Sequence, residues 1–223
     1  LSFQSPIGGV TSNVAYWLDE DTIAVNVGEH FEGSFKLNYL PNNLLLDDYQ
    51  LSLTDNEITD GAYVDLIWLN THIAGANYPS YKHTDGFAKL TLPSSVGLSA
   101  IQNMLKGPLF VLIYDLNGNV IGRQQLQTAA LIDDLYQTAD VLGVEYTGDT
   151  ANSATLWAPS ALNVTLNIFD LDTSVFTKLE SVTGNFFAEG TWAFSPGTEA
   201  WTNKFYQYQV TVYSAKAGKV ISS

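Results

Sequence analysis

No cysteine occurs anywhere in this chain. Disulfide scaffolding, thiolate metal ligation and cysteine nucleophiles are therefore excluded, while the compartment stays open, because many secreted bacterial proteins also lack cysteine. Basic residues are scarce: Lys and Arg number 9 against 23 Asp and Glu, giving a net charge of −14, and Arg123 is the sole arginine. Phosphate backbones are gripped by clustered Lys and Arg, so no nucleic-acid partner is expected, and anionic membrane surfaces are disfavoured for the same reason. The acidity reads as solubility, and a neutral polymer such as a polysaccharide is compatible with it. No apolar run approaches the roughly 20 residues that a spanning helix needs. No basic-then-apolar leader is visible either, so any signal peptide is expected to have been removed. The three histidines, His30, His72 and His83, stand in polar, turn-like contexts. Without a GxSxG elbow or an HExxH pair beside them, neither a nucleophilic triad nor a histidine metal site is expected.

What is present is apolar and aromatic. Hydrophobic residues make up 46% of 223 positions and aromatics 13%, the balance of a folded, β-rich protein with room for one large or two small cores. Residues 1–12 are small and Gly/Pro-punctuated and read as a tail or linker. Ala15–Leu18 and Thr22–Val25 read as short strands around the acidic turn Asp19-Glu20-Asp21. Phe35, Leu37 and Tyr39 alternate with polar residues up to Pro41-Asn42-Asn43, and Tyr49, Leu51 and Leu53 alternate likewise. Ala62–Leu69 is a stronger run and reads as a central strand, followed by a turn-rich segment from Asn70 to Gly86. Ser99–Lys106 has a helical pattern, with Ser99 as its cap and Gly107-Pro108 as its stop. Leu109–Tyr114 and Val120–Leu126 read as a hairpin around Asp115-Leu116-Asn117-Gly118-Asn119, with both Asn117 and Gly118 expected at positive φ.

Residues 128–142 break the strand pattern. Leu131, Ile132, Leu135, Tyr136 and Leu142 recur at helical spacing, so a linking helix is expected between a β-sandwich at 13–127 and a second at 143–223. In the second region Val164, Leu166 and Ile168 alternate with Thr165 and Asn167 after a corner at Ala158-Pro159. Trp157 before that corner is read as a core anchor. Phe205–Tyr213 has one face of Phe205, Gln207, Gln209, Thr211 and Tyr213, and another of Tyr206, Tyr208, Val210 and Val212. The second set is assigned to the core, with the tyrosine hydroxyls at its rim. The chain stops in what still reads as strand, so the second sandwich is expected to be truncated at its C-terminal end. The fold class expected is mainly β: two immunoglobulin-like antiparallel β-sandwich domains joined by a short helix.

Candidate chemistry is thin. The carboxylate clusters Asp19-Glu20-Asp21, Asp47-Asp48 and Asp133-Asp134 suit solvated turns and a helix flank better than a glycosidase pair, which must flank a deep cleft. Asp115, Asn117 and Asn119 resemble the first half of a calcium loop, but the glycine is misplaced and no glutamate follows at the twelfth position, so calcium is a candidate without support and no cofactor is expected. Tryptophan and tyrosine can form platforms for sugar rings, ringed by side-chain amides. Trp17, Trp68 and Trp157 lie in strand patterns. Trp201, in a polar loop, is the candidate for exposure, with Trp192 and Asn203 as further carbohydrate-binding candidates.

Several of these stretches carry a resemblance. Thr155-Leu156-Trp157-Ala158-Pro159-Ser160-Ala161 with Val164 and Leu166, Gly190-Thr191-Trp192, and Phe205-Tyr206 through Tyr213 resemble the family 48 carbohydrate-binding-module domain of starch-debranching enzymes. Ala15–Asp19, Asp21–Ile23, Leu126–Ala129 and Leu131–Tyr136 resemble the β-sandwich and linking helix upstream of it in the larger bacterial pullulanases. The resemblance implies a non-catalytic N-terminal accessory region of a pullulanase-type glycoside hydrolase. The parent enzyme then cleaves α-1,6-glucosidic linkages in pullulan, amylopectin or glycogen, and is secreted or displayed at a bacterial surface. It also implies a catalytic (β/α)8 barrel as partner, lying outside this sequence, so that the chain has no catalytic residues of its own. Glycogen-holding relatives carry Trp, Lys and Trp where this chain has Phe169–Thr173, Gln209 and Ala217-Gly218-Lys219. Structural support with at most weak α-glucan binding is therefore expected. The alternative is a free-standing two-domain surface α-glucan-binding module.

Overall fold

The computed structural model describes residues 14–28, 30–40, 53–54, 57–58, 61–172, 174–197, 200–214, 217 and 219–223. The expected tail at 1–12, the Pro41-Asn42-Asn43 turn, the Tyr49 and Leu51 alternation and the Asp47-Asp48 pair lie outside them. The chain divides into two compact units, Leu1–Leu135 and Tyr136–Ser223. Both are mainly β, as expected.

The first unit contains β1 (Val14–Asp19), β2 (Thr22–Val25), β3 (Ser34–Tyr39), β4 (Leu53–Thr54), β5 (Glu57–Ile58), β6 (Ala62–His72), β7 (Ala88–Thr91), β8 (Leu109–Tyr114) and β9 (Val120–Gln127). Two helices, α1 (Leu98–Met104) and α2 (Ala129–Leu135), complete it. Seven strands form one sheet in the order β1-β2-β7-β6-β3-β8-β9, closed by a parallel pairing of β1 with β9. Closure leaves that sheet without a free edge. Alternation places Ala15, Trp17, Ile23, Phe35, Leu37, Leu90, Val111 and Ile113 inside, all at most 1% exposed. Leu131 of α2, fully buried, adds to the core.

The turn-rich segment after β6 has a definite task. It forms two 3-10 turns, Gly75–Asn77 and Pro79–Thr84, and lays Tyr78, Tyr81 and Phe87 over the second face of β1 and β2, against Leu18, Ala24 and Ile73. This cover explains why all four residues of β2 are buried. The Tyr78 hydroxyl donates to Asp19 Oδ2 at 2.6 Å, and Asp19 Oδ1 accepts the Asp21 amide at 3.0 Å. Asp19 thus fastens a turn to its cover.

Three local expectations need correction. First, α1 begins after Gly97, its N-cap, and Ser99 lies inside the helix and makes no capping bond. Second, the β8–β9 turn has positive φ at Gly118 (82°) but not at Asn117. Asp115 O accepts the Gly118 amide at 3.1 Å, Asp115 N donates to Asn119 O at 2.9 Å, and a bulge follows in β9. This is the longer loop built on a turn plus a left-handed glycine, not the two-residue type. Third, α2 stops at Leu135 instead of running to 142. The reason lies in the second unit, where the residues from Tyr136 onward are claimed by a sheet.

That unit holds β10 (Gly143–Thr147), β11 (Thr150–Trp157), β12 (Asn163–Asp172), β13 (Val175–Thr183), β14 (Asn185–Phe186), β15 (Thr191–Phe194), β16 (Phe205–Ser214) and β17 (Lys219–Ser222). Two four-stranded sheets, β10-β11-β15-β14 and β13-β12-β16-β17, face each other. Between them pack Ala154, Trp192 and Phe194 from one, Val164, Leu166 and Ile168 from the other, and Trp201 from a loop. On the other face of the first sheet, Trp157 Nε1 donates to Tyr136 O at 3.1 Å and Thr191 Oγ1 to Asp140 Oδ2 at 3.1 Å. These bonds tie Tyr136 and Asp140, which lie in neither helix nor strand, to β11 and β15.

Candidate functional site

In β12 the inward set Val164, Leu166 and Ile168 is at most 1% exposed, so Thr165, Asn167 and Phe169 must point outward. Strand register then fixes the rows of the outer face. Asn167 lies between Ser181 of β13 and Gln207 of β16, Phe169 between Lys178 and Phe205, and Thr165 between Thr183 and Gln209. An open cleft of about 290 Å³ runs over this face, lined by Asn167, Phe169, Lys178, Gln207, Gln209 and Ser223.

The chemistry of the cleft is uniform. Three side-chain amides offer donors and acceptors, one lysine is the only charged side chain in the lining, and Phe169 supplies an apolar floor. Asn167 is 6% exposed, and its Oδ1 accepts from Ser181 Oγ at 2.7 Å, which leaves the amide nitrogen as the group to serve a ligand. Beside the cleft, Phe176 and Phe205 meet edge to face at 5.1 Å and are 59% and 49% exposed. Such a face can hold a neutral polyhydroxylated chain, with C–H surfaces on the phenyl rings and hydroxyls on the amides. Its lining holds no Asp or Glu side chain, the residue types that glycoside hydrolysis pairs across a cleft.

The residues expected from sequence lie elsewhere. Trp201 is 5% exposed, its Nε1 donating to Glu180 Oε2 at 3.3 Å, so the polar loop around it turns the indole inward. Trp192 is also 5% exposed, and its Nε1 donates to Ala158 O at 3.0 Å. Neither is a platform. Asn203 is exposed but sits at φ 59°, where it serves the turn into β16. Trp157 is half-buried outside the core cluster, so it is no core anchor. Ala154 is buried and Leu156 packs against the core, and this parity turns Trp157 to the opposite face. Of the tyrosines in β16, Tyr208 packs against the core while Tyr206 is 50% exposed. The Tyr208 hydroxyl is buried without a partner among the described residues, not at a wet rim, and burial raises its pKa. Tyr136 is 2% exposed, and desolvation pushes its hydroxyl up to about 12. The cleft residues left a signal in the sequence, for Gln207 and Gln209 belong to the alternating face set apart from the core.

The calcium candidates converge on one carboxylate already in use. Asp115 Oδ1 accepts the amides of Asn117 at 2.9 Å and Asn119 at 2.8 Å, and Oδ2 accepts Asn119 Nδ2 at 3.1 Å. Among the described residues no three His, Asp or Glu side chains gather as a metal site. The bonds from Asn119 and Asn117 stabilise the ionised form and hold Asp115 below its usual value of 3.8. A depressed folded pKa gives stability that is present above the unfolded value and lost as pH falls through the folded one. Asp115→Asn is expected to lower the urea midpoint at neutral pH, with the gap to the parent closing in acid. An equal gap at both pH values would mean that the charge is irrelevant.

One closed sheet and a pair of facing sheets, the second carrying a shallow polar cleft on an outer face, define a mainly β class of module. The Pullulanase N2 domain description matches residues 12–134, more than half of the chain, and the chain belongs to that family. It is 24% identical over 215 residues to a pullulanase of Klebsiella pneumoniae, covering 95% of this chain and 18% of that protein. It is 28% identical over 213 residues to pullulanase 1, chloroplastic, of Arabidopsis thaliana, covering 92% of this chain and 20% of the relative. A crystal structure of Klebsiella pneumoniae pullulanase in complex with maltotriose superposes with a TM-score of 0.77 at 24% identity, over 97% of this chain and 22% of that one. The chain therefore spans about a fifth of the length of these curated relatives.

Proposed function

We propose that this chain is a non-catalytic accessory region of a pullulanase-type hydrolase, with two tasks: to support the catalytic barrel of the parent protein and to make weak contact with α-glucan. The observation that carries the reading is the family match over residues 12–134 together with coverage of about a fifth of two pullulanases. The supporting role draws on Leu171, Val175, Phe176, Phe205 and Tyr206, each at least 43% exposed on neighbouring strands of the second unit. Contiguous apolar surface of that kind suits contact with another domain. The glucan role draws on the amide-lined cleft beside it. Shallow and open, it favours a Kd in the weak range, about 1 mM, since little sugar surface is desolvated. A bacterial extracellular or surface setting belongs to the same proposal and rests on the resemblance alone.

Affinity electrophoresis in pullulan gel tests the glucan task. Slight retardation is expected, lost in Phe169→Ala and Gln207→Ala and kept in Trp201→Phe. Strong saturable retardation would instead favour a free-standing glucan-binding module. Loss in Trp201→Phe with the cleft variants unchanged would sink the cleft assignment.

A further inference from the structure

The β8–β9 turn carries a chemical property that neither support nor sugar binding uses. We propose that Asn117 is a site of spontaneous covalent modification, which converts it to aspartate and isoaspartate while the protein remains folded. The sequence holds one Asn-Gly step, Asn117-Gly118. The Gly118 amide nitrogen attacks Cγ of Asn117. A C–N bond forms, the nitrogen gives up its proton to solvent base, and the side-chain nitrogen leaves as ammonia. Water then opens the resulting cyclic imide at either carbonyl. Opening at one side gives aspartate. Opening at the other sends the backbone through the β-carbon as isoaspartate. Water is the co-reactant, ammonia the by-product, and no electron is transferred.

Local geometry favours this residue over its neighbours. Asn117 and Gly118 are both exposed. A Cβ placed on Gly118 meets nothing within 4 Å, so the attacking nitrogen has an open approach. Its N–H is held by one bond of 3.1 Å, to Asp115 O, in a turn whose residues 116–119 are exposed. Asn119 is exposed as well, but its amide is tied to Asp115 Oδ2 at 3.1 Å and its successor is the β-branched Val120, paired in β9 with Tyr114. Asn152 precedes Ser153, whose side chain bonds Glu145 Oε2 at 2.9 Å within paired strands.

Conversion would change the turn. The aspartate product adds a negative charge two residues from Asp115, whose ionised carboxylate already holds the loop. Isoaspartate lengthens the backbone between β8 and β9 and moves the amide at position 117 off Asp115 Oδ1.

The test is peptide mapping of the whole protein aged in mildly alkaline buffer, with a urea-unfolded sample in parallel. Lys106 and Arg123 flank the site, so trypsin releases 107–123 as one peptide. The expected result is an amide-to-acid mass gain that fragment ions place at residue 117, with isoaspartate detected by methyltransferase labelling. Asn119 and Asn152 stay several-fold slower. Asp115→Ala, which frees the turn, is expected to accelerate the change several-fold. A gain seen only in the unfolded sample would overturn the proposal, because the turn would then be protective. A faster gain at Asn119 would overturn it as well.

Discussion

Trp192→Ala is expected to destabilise the second unit by about 3–5 kcal/mol, read as a lowered urea midpoint of the whole chain. The indole is 5% exposed, contacts Phe186 at 5.3 Å between ring centres and belongs to the core cluster of both sheets. Its Nε1 also satisfies Ala158 O at 3.0 Å, at the corner where β11 hands over to β12. Truncation removes the packing and one of the two bonds that this carbonyl accepts, the other coming from the Ala161 amide. Trp192→Phe retains most of the packing and leaves Ala158 O its bond from the Ala161 amide at 3.1 Å, so losing the indole bond costs about 0.5–1.5 kcal/mol. A Trp192→Ala variant with an unchanged midpoint would show that the core assignment is wrong.

Trp17 gives the matching test in the first unit and a different pattern. It is fully buried, so Trp17→Ala is again expected to cost about 3–5 kcal/mol. Its Nε1, however, is buried with no partner among the described residues. Trp17→Phe removes an unsatisfied donor along with some volume, so the phenylalanine variant recovers more of the lost stability here than at Trp192. Urea midpoints of the four variants decide it. Equal losses for the two phenylalanine variants would mean that the Trp17 nitrogen is satisfied in solution.

Much of the fold was legible in the residues, and the misreadings have physical causes. Period two placed Val164, Leu166 and Ile168 inward and separated the Gln207 and Gln209 face of β16, because each strand of a sandwich has one wet and one dry side. The β8–β9 hairpin announced itself through Asn117-Gly118, a local signal for a local structure. Where distant partners decide, the sequence was silent. The helical spacing of Leu131, Leu135 and Leu142 persists past the point where Trp157 and Thr191 claim Tyr136 and Asp140. Trp201 sits among polar neighbours, yet the partner that draws its Nε1 inward is Glu180, 21 positions away. The cleft was missed for the same reason. Its lining comes from three strands and from Ser223 after β17, and only register brings Asn167, Lys178 and Gln207 together.

The parallel pairing of β1 with β9 also has a mechanical meaning. Val14, Ala15 and Tyr16 lie opposite Gln125, Leu126 and Gln127, so the first and last strands of the unit are bonded side by side and run in the same direction. Tension entering at the start of β1 and leaving at the end of β9 pulls these strands along their length. All their cross-links are then loaded at once, whereas an antiparallel hairpin pulled from its ends opens one link at a time. Tethered through its two ends, the unit resists in shear, as a lap joint does, and force reaches neighbouring parts of the chain before this clasp gives way.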